Sequence, residues 1–156
     1  MSSRDHILSS LREAAKPFAD IEAPSAKRLP MTPLTEQDPK ALLDRFVKEA
    51  EALSAVVYQP EGDEAATQMV LDLLAGQACA LVWEADWLPL SGLQDTIQGA
   101  GIEVVMAPDP TVYVGITGAT AALASTGTVR LQSGPGQLRS ASLLPSKHIA
   151  IIREEQ

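Results

Sequence analysis

The chain is poor in cysteine and aromatics, and it has no acidic residue at all across one long stretch. A single cysteine, Cys79, in 156 residues excludes an internal disulfide framework and an all-cysteine cluster site. Aromatics make up 4% of the chain and no basic stripe interleaves with them. With a formal charge of −8, this argues against general nucleic-acid or anionic-membrane binding. No apolar run is long enough to span a bilayer, so no membrane insertion is expected. The start, "MSSRDHILSSLREAAK", lacks the hydrophobic core of a signal peptide and predicts a cytoplasmic chain. The dinucleotide fingerprint GxGxxG, the phosphate loop GxxxxGK[ST] and the GxSxG nucleophile elbow are all missing. His6 and His148 lie far apart in sequence, with no metal-ligand spacing around either. These absences predict that the chain itself binds no metal, flavin or nucleotide cofactor.

The most informative absence is local. From Thr111 to Ala150 there is no Asp or Glu, while Arg130, Arg139 and Lys147 remain. That window carries +3, and the rest, with nine cations against 20 acids, carries −11. Cations without sequence-local counter-charges, in a Gly- and Thr-rich segment, mark the place to seek an anion site.

What is present describes one domain behind an N-terminal extension. Hydrophobic residues are 46% of the chain, enough for a proper core. Ile7, Leu8 and Leu11 share one face of a predicted helix over 3–15. The Pro-rich stretch after it reads as an extended arm, so residues 1–37 form a helix and arm, and 38–156 the domain. Asp38 is placed to cap a helix with Pro39 in its first turn, and Leu42, Leu43, Phe46, Val47, Ala50 and Leu53 form its apolar stripe. "SAVVYQ" is expected as a strand, a helix from about Asp63 to Ala75 to stop at Gly76, and "ACALVW" as a strand that buries Cys79. Ser91 and Gln94 suggest a capping box for a short helix before the strand "IEVVMA". Helices alternating with nearly all-apolar strands predict a mostly parallel sheet covered on both faces, a three-layer α/β/α sandwich. Beyond Asp109, "TVYVGIT", "GTVRLQ", "LRSASLL" and "HIAIIRE" are expected as strands, with "SGPG" as a turn.

The acid-free window supplies the candidate site. A glycine at a strand end lets backbone amides approach a ligand, and a helical turn after it would add its N-terminal N–H groups. Thr117, Gly118 and Ala119 occupy that position, and Ser125, Thr126 and Gly127 are expected to form the opposite wall. Arg139 has the planar fork that reads a carboxylate or phosphate, with Lys147 and His148 beside the same segment. Ser125, Ser133, Ser140, Ser142 and Ser146 surround His148 in sequence, but no acid in the window orients the imidazole as a catalytic triad requires. Glu84, Asp86 and Asp109 fall near the ends of predicted strands, where open α/β sheets hold ligands.

"VGITGATAALASTGTVRLQSGPGQLRSASLLPSKHIAII" resembles the signature of the lactate utilisation protein C family, the LUD-domain proteins. The resemblance is carried by Gly115-Ile116-Thr117-Gly118-Ala119, Ala124 with Thr126-Gly127-Thr128, the Gly134-Pro135-Gly136-Gln137 turn, Arg139, and Ser142 to Ile152. It implies a fold like that of the sugar-phosphate isomerase and CoA-transferase group. It also implies a role beside iron–sulfur subunits in oxidising L-lactate, with every cluster held by those partners. The family usually carries an acid where this chain has Ser125, and further Gly-Pro-Ser and Gly-Val-His-Gly-Pro segments that this sequence lacks. A stand-alone enzyme on a phosphorylated or CoA-linked substrate, and a scaffold with a vestigial pocket, stay open beside the accessory-subunit reading.

Overall fold

The computed structural model describes residues 3–18 and 38–156, so the Pro-rich arm expected up to residue 37 lies largely outside the described residues. The chain divides into two units, Met1–Pro33 and Leu34–Gln156. In the first, helix α1 (Ser3–Ala15) buries none of its residues, and Ile7, Leu8 and Leu11 are exposed along its predicted apolar face.

The second unit starts with α2 (Pro39–Ala52), capped as its sequence predicts: the Asp38 carboxylate accepts from the Ala41 N–H at 3.0 Å, with Pro39 opening the first turn. Ala50 is its buried residue, and Leu53 beyond its end is exposed. Helix α3 (Gly62–Leu73) follows, then strand β1 (Cys79–Val82), helix α4 (Leu93–Gly99) and strand β2 (Glu103–Val105). Next come β3 (Val114–Gly118), the strands β4 (Ala121–Leu123) and β5 (Thr128–Arg130), the short helix α5 (Ser140–Leu143), and β6 (Lys147–Ile151).

The main sheet is wholly parallel, in the order β2-β1-β3-β6, and β4 pairs with β5 as a separate antiparallel ribbon. From β1 the chain steps to β2 on one side, whereas from β3 it steps to β6 on the other. Right-handed crossovers in opposite directions put their helices on opposite faces, so α4 covers one face and α5 the other. Helix α3 packs beside α4, which completes the three-layer α/β/α sandwich. The continuous apolar runs are explained by this cover on both sides: Leu81, Val82, Val114 and Ile116 are fully buried, and so are Leu74, Leu93 and Ile97 of the helical layer.

One glycine sets the distance between layers. A Cβ on Gly115 of β3 would overlap the carbonyl oxygen of Ala141 in α5, so only glycine lets that helix lie directly on the strand.

Four local expectations are corrected. "SAVVYQ" forms no strand; Ser54 turns the chain in the left-handed region (φ 68°), and Val56 and Tyr58 are exposed without a ladder partner. "LRSASLL" is helical at Ser140–Leu143, because it must cross from one end of the sheet to the other between β5 and β6. The Ser91/Gln94 capping box does not form: Gly92 is the N-cap, with no side-chain cap, and Gln94 Nε2 instead donates to the Trp83 carbonyl at 2.7 Å. Cys79 opens β1 only partly buried, since the first residue of the strand lies at the rim of the core. The "SGPG" turn forms as expected, with Gly134 and Gln137 exchanging backbone hydrogen bonds across Pro135 and Gly136 (φ 75°), a type II pattern.

Candidate functional site

In an open parallel sheet, ligands bind outside the carboxyl ends of the strands, at the point where strand order reverses. Here the reversal lies between β1 and β3. Just beyond the end of β1 stands Trp83, 2% exposed, its N–H donating to the Leu138 carbonyl at 2.9 Å. The next residue, Glu84, donates its backbone N–H to the Gly136 carbonyl at 2.9 Å. Two links therefore tie the segment from the Gly-Pro-Gly-Gln turn to Leu138 to the end of β1. They set Arg139 at the carboxyl end of the sheet, where α5 begins.

Arg139 opens onto a cleft of about 190 Å³. Trp83, Leu131 and Leu143 give it apolar surface, and Gln132, Ser133 and Ser142 give polar surface. Among the described residues Arg139 forms no ion pair, and its guanidinium donates no hydrogen bond. The Ser142 hydroxyl donates to the Arg139 carbonyl at 3.1 Å, which holds the first turn of α5. An uncommitted guanidinium beside an apolar wall is suited to bind a planar anion with a nonpolar body.

The other expected site residues take different places. Thr117, wholly buried, places its Oγ1 2.9 Å from His148 Nε2. Gly115 pairs with His148 and Thr117 with Ala150, so these side chains share the face that carries α5. His148 is itself exposed on the edge strand, but the crowding of its inner side pushes its pKa below the ordinary histidine value. Gly118 ends β3 with its α-carbon against the Trp87 carbonyl, and the Ala119 carbonyl accepts from Gln156 Nε2 at 2.6 Å.

No helical turn follows Gly118. The Ala-rich segment is strand β4, so the N-terminal amides expected there do not exist. Ser125, Thr126 and Gly127 form the tip of the β4–β5 hairpin, where Gly127 (φ 60°) sits against the backbone of α2 at Glu49 and Ala50. They do not line the Arg139 cleft, which begins at the other end of β5.

Lys147 is spent elsewhere. Its ammonium donates to the Leu73 carbonyl at 2.8 Å, at the C-terminal end of α3. Lys147 pairs with Val114, the first residue of β3, four residues before Gly118 and therefore roughly 13 Å from the carboxyl end of the sheet. Of the nine expected site residues, Arg139 alone lines the cleft.

The acids at the strand ends also differ in use. Asp109 accepts from both the backbone N–H (2.8 Å) and the hydroxyl (2.6 Å) of Thr111; these bonds hold its carboxyl below the usual range and make it a turn former. Glu84 and Asp86 are exposed in the loop after β1. Sequence reasoning missed Trp83 and the Leu131–Ser133 segment. A tryptophan closing an apolar strand run was the available signal, since a buried indole N–H needs a partner and brings a second segment to it.

A family model described as the LUD domain matches residues 43–156. No curated protein and no solved structure matches the chain.

Proposed function

Since the chain belongs to the LUD-domain family, which ties it to lactate utilisation in general, we propose that it is an accessory subunit of an L-lactate or related organic-acid oxidation system. In this reading it holds a small organic anion at Arg139. The observation that carries the proposal is a guanidinium, unpaired among the described residues, that opens into a cleft at the carboxyl end of the sheet. Electron transfer belongs to iron–sulfur partner subunits, because one cysteine cannot ligate a cluster. A phosphorylated or CoA-linked substrate is less well served: Lys147, the second cation expected beside Arg139, is bound to α3.

The test is ligand-linked stability. L-Lactate raises the melting temperature of the wild type, and both Arg139→Lys and Arg139→Ala abolish that rise. No shift in the wild type, or a shift that survives both substitutions, overturns the anion site. Co-purification from the native host checks the assembly: iron–sulfur proteins accompany the chain if it is an accessory subunit, and their absence overturns that role.

A further inference from the structure

Resting on the anion site just proposed, we infer that the cleft selects a monocarboxylate of about three to five carbons with an unbranched or lightly branched apolar chain, in preference to phosphate. The first ground is charge. Among the described residues Arg139 is the single cation that lines the cleft. One guanidinium matches the single charge and two oxygens of a carboxylate, whereas a phosphate dianion leaves charge and acceptors uncompensated.

The second ground is the walls. Trp83 has committed its N–H to Leu138, so it presents only apolar ring to the cleft. Leu131 is partly buried against the core. Leu143, at 65% exposure, is a large apolar side chain that an occupant of the cleft would cover. A ligand that satisfied the guanidinium and left these surfaces wet would use half of what the cleft offers.

The third ground is size. About 190 Å³ corresponds to roughly six waters at their liquid volume, well below the 300–1,000 Å³ of pockets for drug-sized ligands. A short-chain acid is of a size to fill it.

The experiment titrates the ¹⁵N-labelled chain with L-lactate, acetate, propionate, butyrate, pentanoate and inorganic phosphate, reading the Trp83 indole N–H by NMR. Each added methylene is expected to lower Kd about two- to fourfold, the upper figure being that for full burial, until the chain outgrows the cleft. Phosphate binds more weakly than pentanoate. Leu143→Ser, at an exposed position, flattens the chain-length dependence, weakening pentanoate more than acetate. Arg139→Ala weakens the whole series. Equal affinity along the series, or tightest binding by phosphate, overturns the selectivity and leaves the anion site standing. Failure of every anion, L-lactate included, overturns both.

Discussion

Lys147 and Arg139 carry the same charge in the same acid-free window, eight residues apart, yet the fold uses them in opposite ways. Lys147 lies at the amino end of the parallel sheet and gives its ammonium to the last turn of α3. Arg139 lies at the carboxyl end and gives its guanidinium to no described residue. A cation without a nearby acid in sequence is therefore not automatically free for a ligand. A helix C-terminus, with its unsatisfied carbonyls and negative dipole end, serves as a counter-charge that no count of Asp and Glu reveals. At one end of the sheet such a contact takes up the cation, and at the other the cation faces an open cleft.

The strongest way to break this contrast acts on the element that spans both ends. Gly115→Ala drives a methyl into the Ala141 carbonyl and lifts α5 from β3, at a cost of about 3 kcal/mol or more by denaturant unfolding. Gly99→Ala is the control: an added Cβ there meets nothing within 4 Å and its φ is not positive, so stability rises by a few tenths to 1 kcal/mol. Equal effects at the two positions would refute the close approach of α5.

Next in size is Lys147→Met, which keeps most of the apolar stem and removes the charged donor from Leu73. Chemical denaturation is expected to show a loss of about 1–2 kcal/mol, without any change in anion affinity at the other end of the sheet. Weakened anion binding would mean that the two ends are not separate.

A smaller effect belongs to His148. The partial desolvation of its inner side lowers its folded-state pKa beneath the unfolded value near 6.5, so the unfolded chain takes up the proton first. Stability from this group is complete above about pH 6.5 and falls as pH drops from there through the lower folded value. His148→Gln keeps a polar partner for Thr117 and removes that part of the acid loss, measured as a shallower pH dependence of unfolding between pH 7 and 5. An unchanged slope would refute the assignment.

The smallest change in stability is expected at Arg139, where replacement by Ala moves ligand-free stability by no more than about 0.5 kcal/mol. The same substitution removes the ligand-induced shift. A large loss without ligand would identify a structural ion pair instead.

Much of the fold was legible, for a reason visible in particular residues. Strands β1 and β3 announce themselves as apolar runs, because a strand covered on both faces has no polar side to show. The cap at Asp38 and the turn at Pro135-Gly136 were legible because their chemistry is local. "SAVVYQ" misled because strand-forming residues supply only one side of a ladder, and the partner must come from the rest of the fold. "LRSASLL" misled because a short apolar segment suits either period, and the room left by Gly115 admits it as a helical turn.

The candidate site divides along the same line. By itself the amino-acid sequence determined the layered parallel architecture, the absence of acid around three cations, and the family signature that includes Arg139. Those properties are written in composition, periodicity and short motifs, which are local along the chain. Only the tertiary structure decided that Lys147 caps α3, that Thr117 is buried against His148, that Ser125 to Gly127 sit on α2, and that Trp83, Leu131 and Leu143 form the wall beside Arg139. Each of those relations joins segments separated along the chain, and a side chain's availability depends on what packs against it rather than on what precedes or follows it.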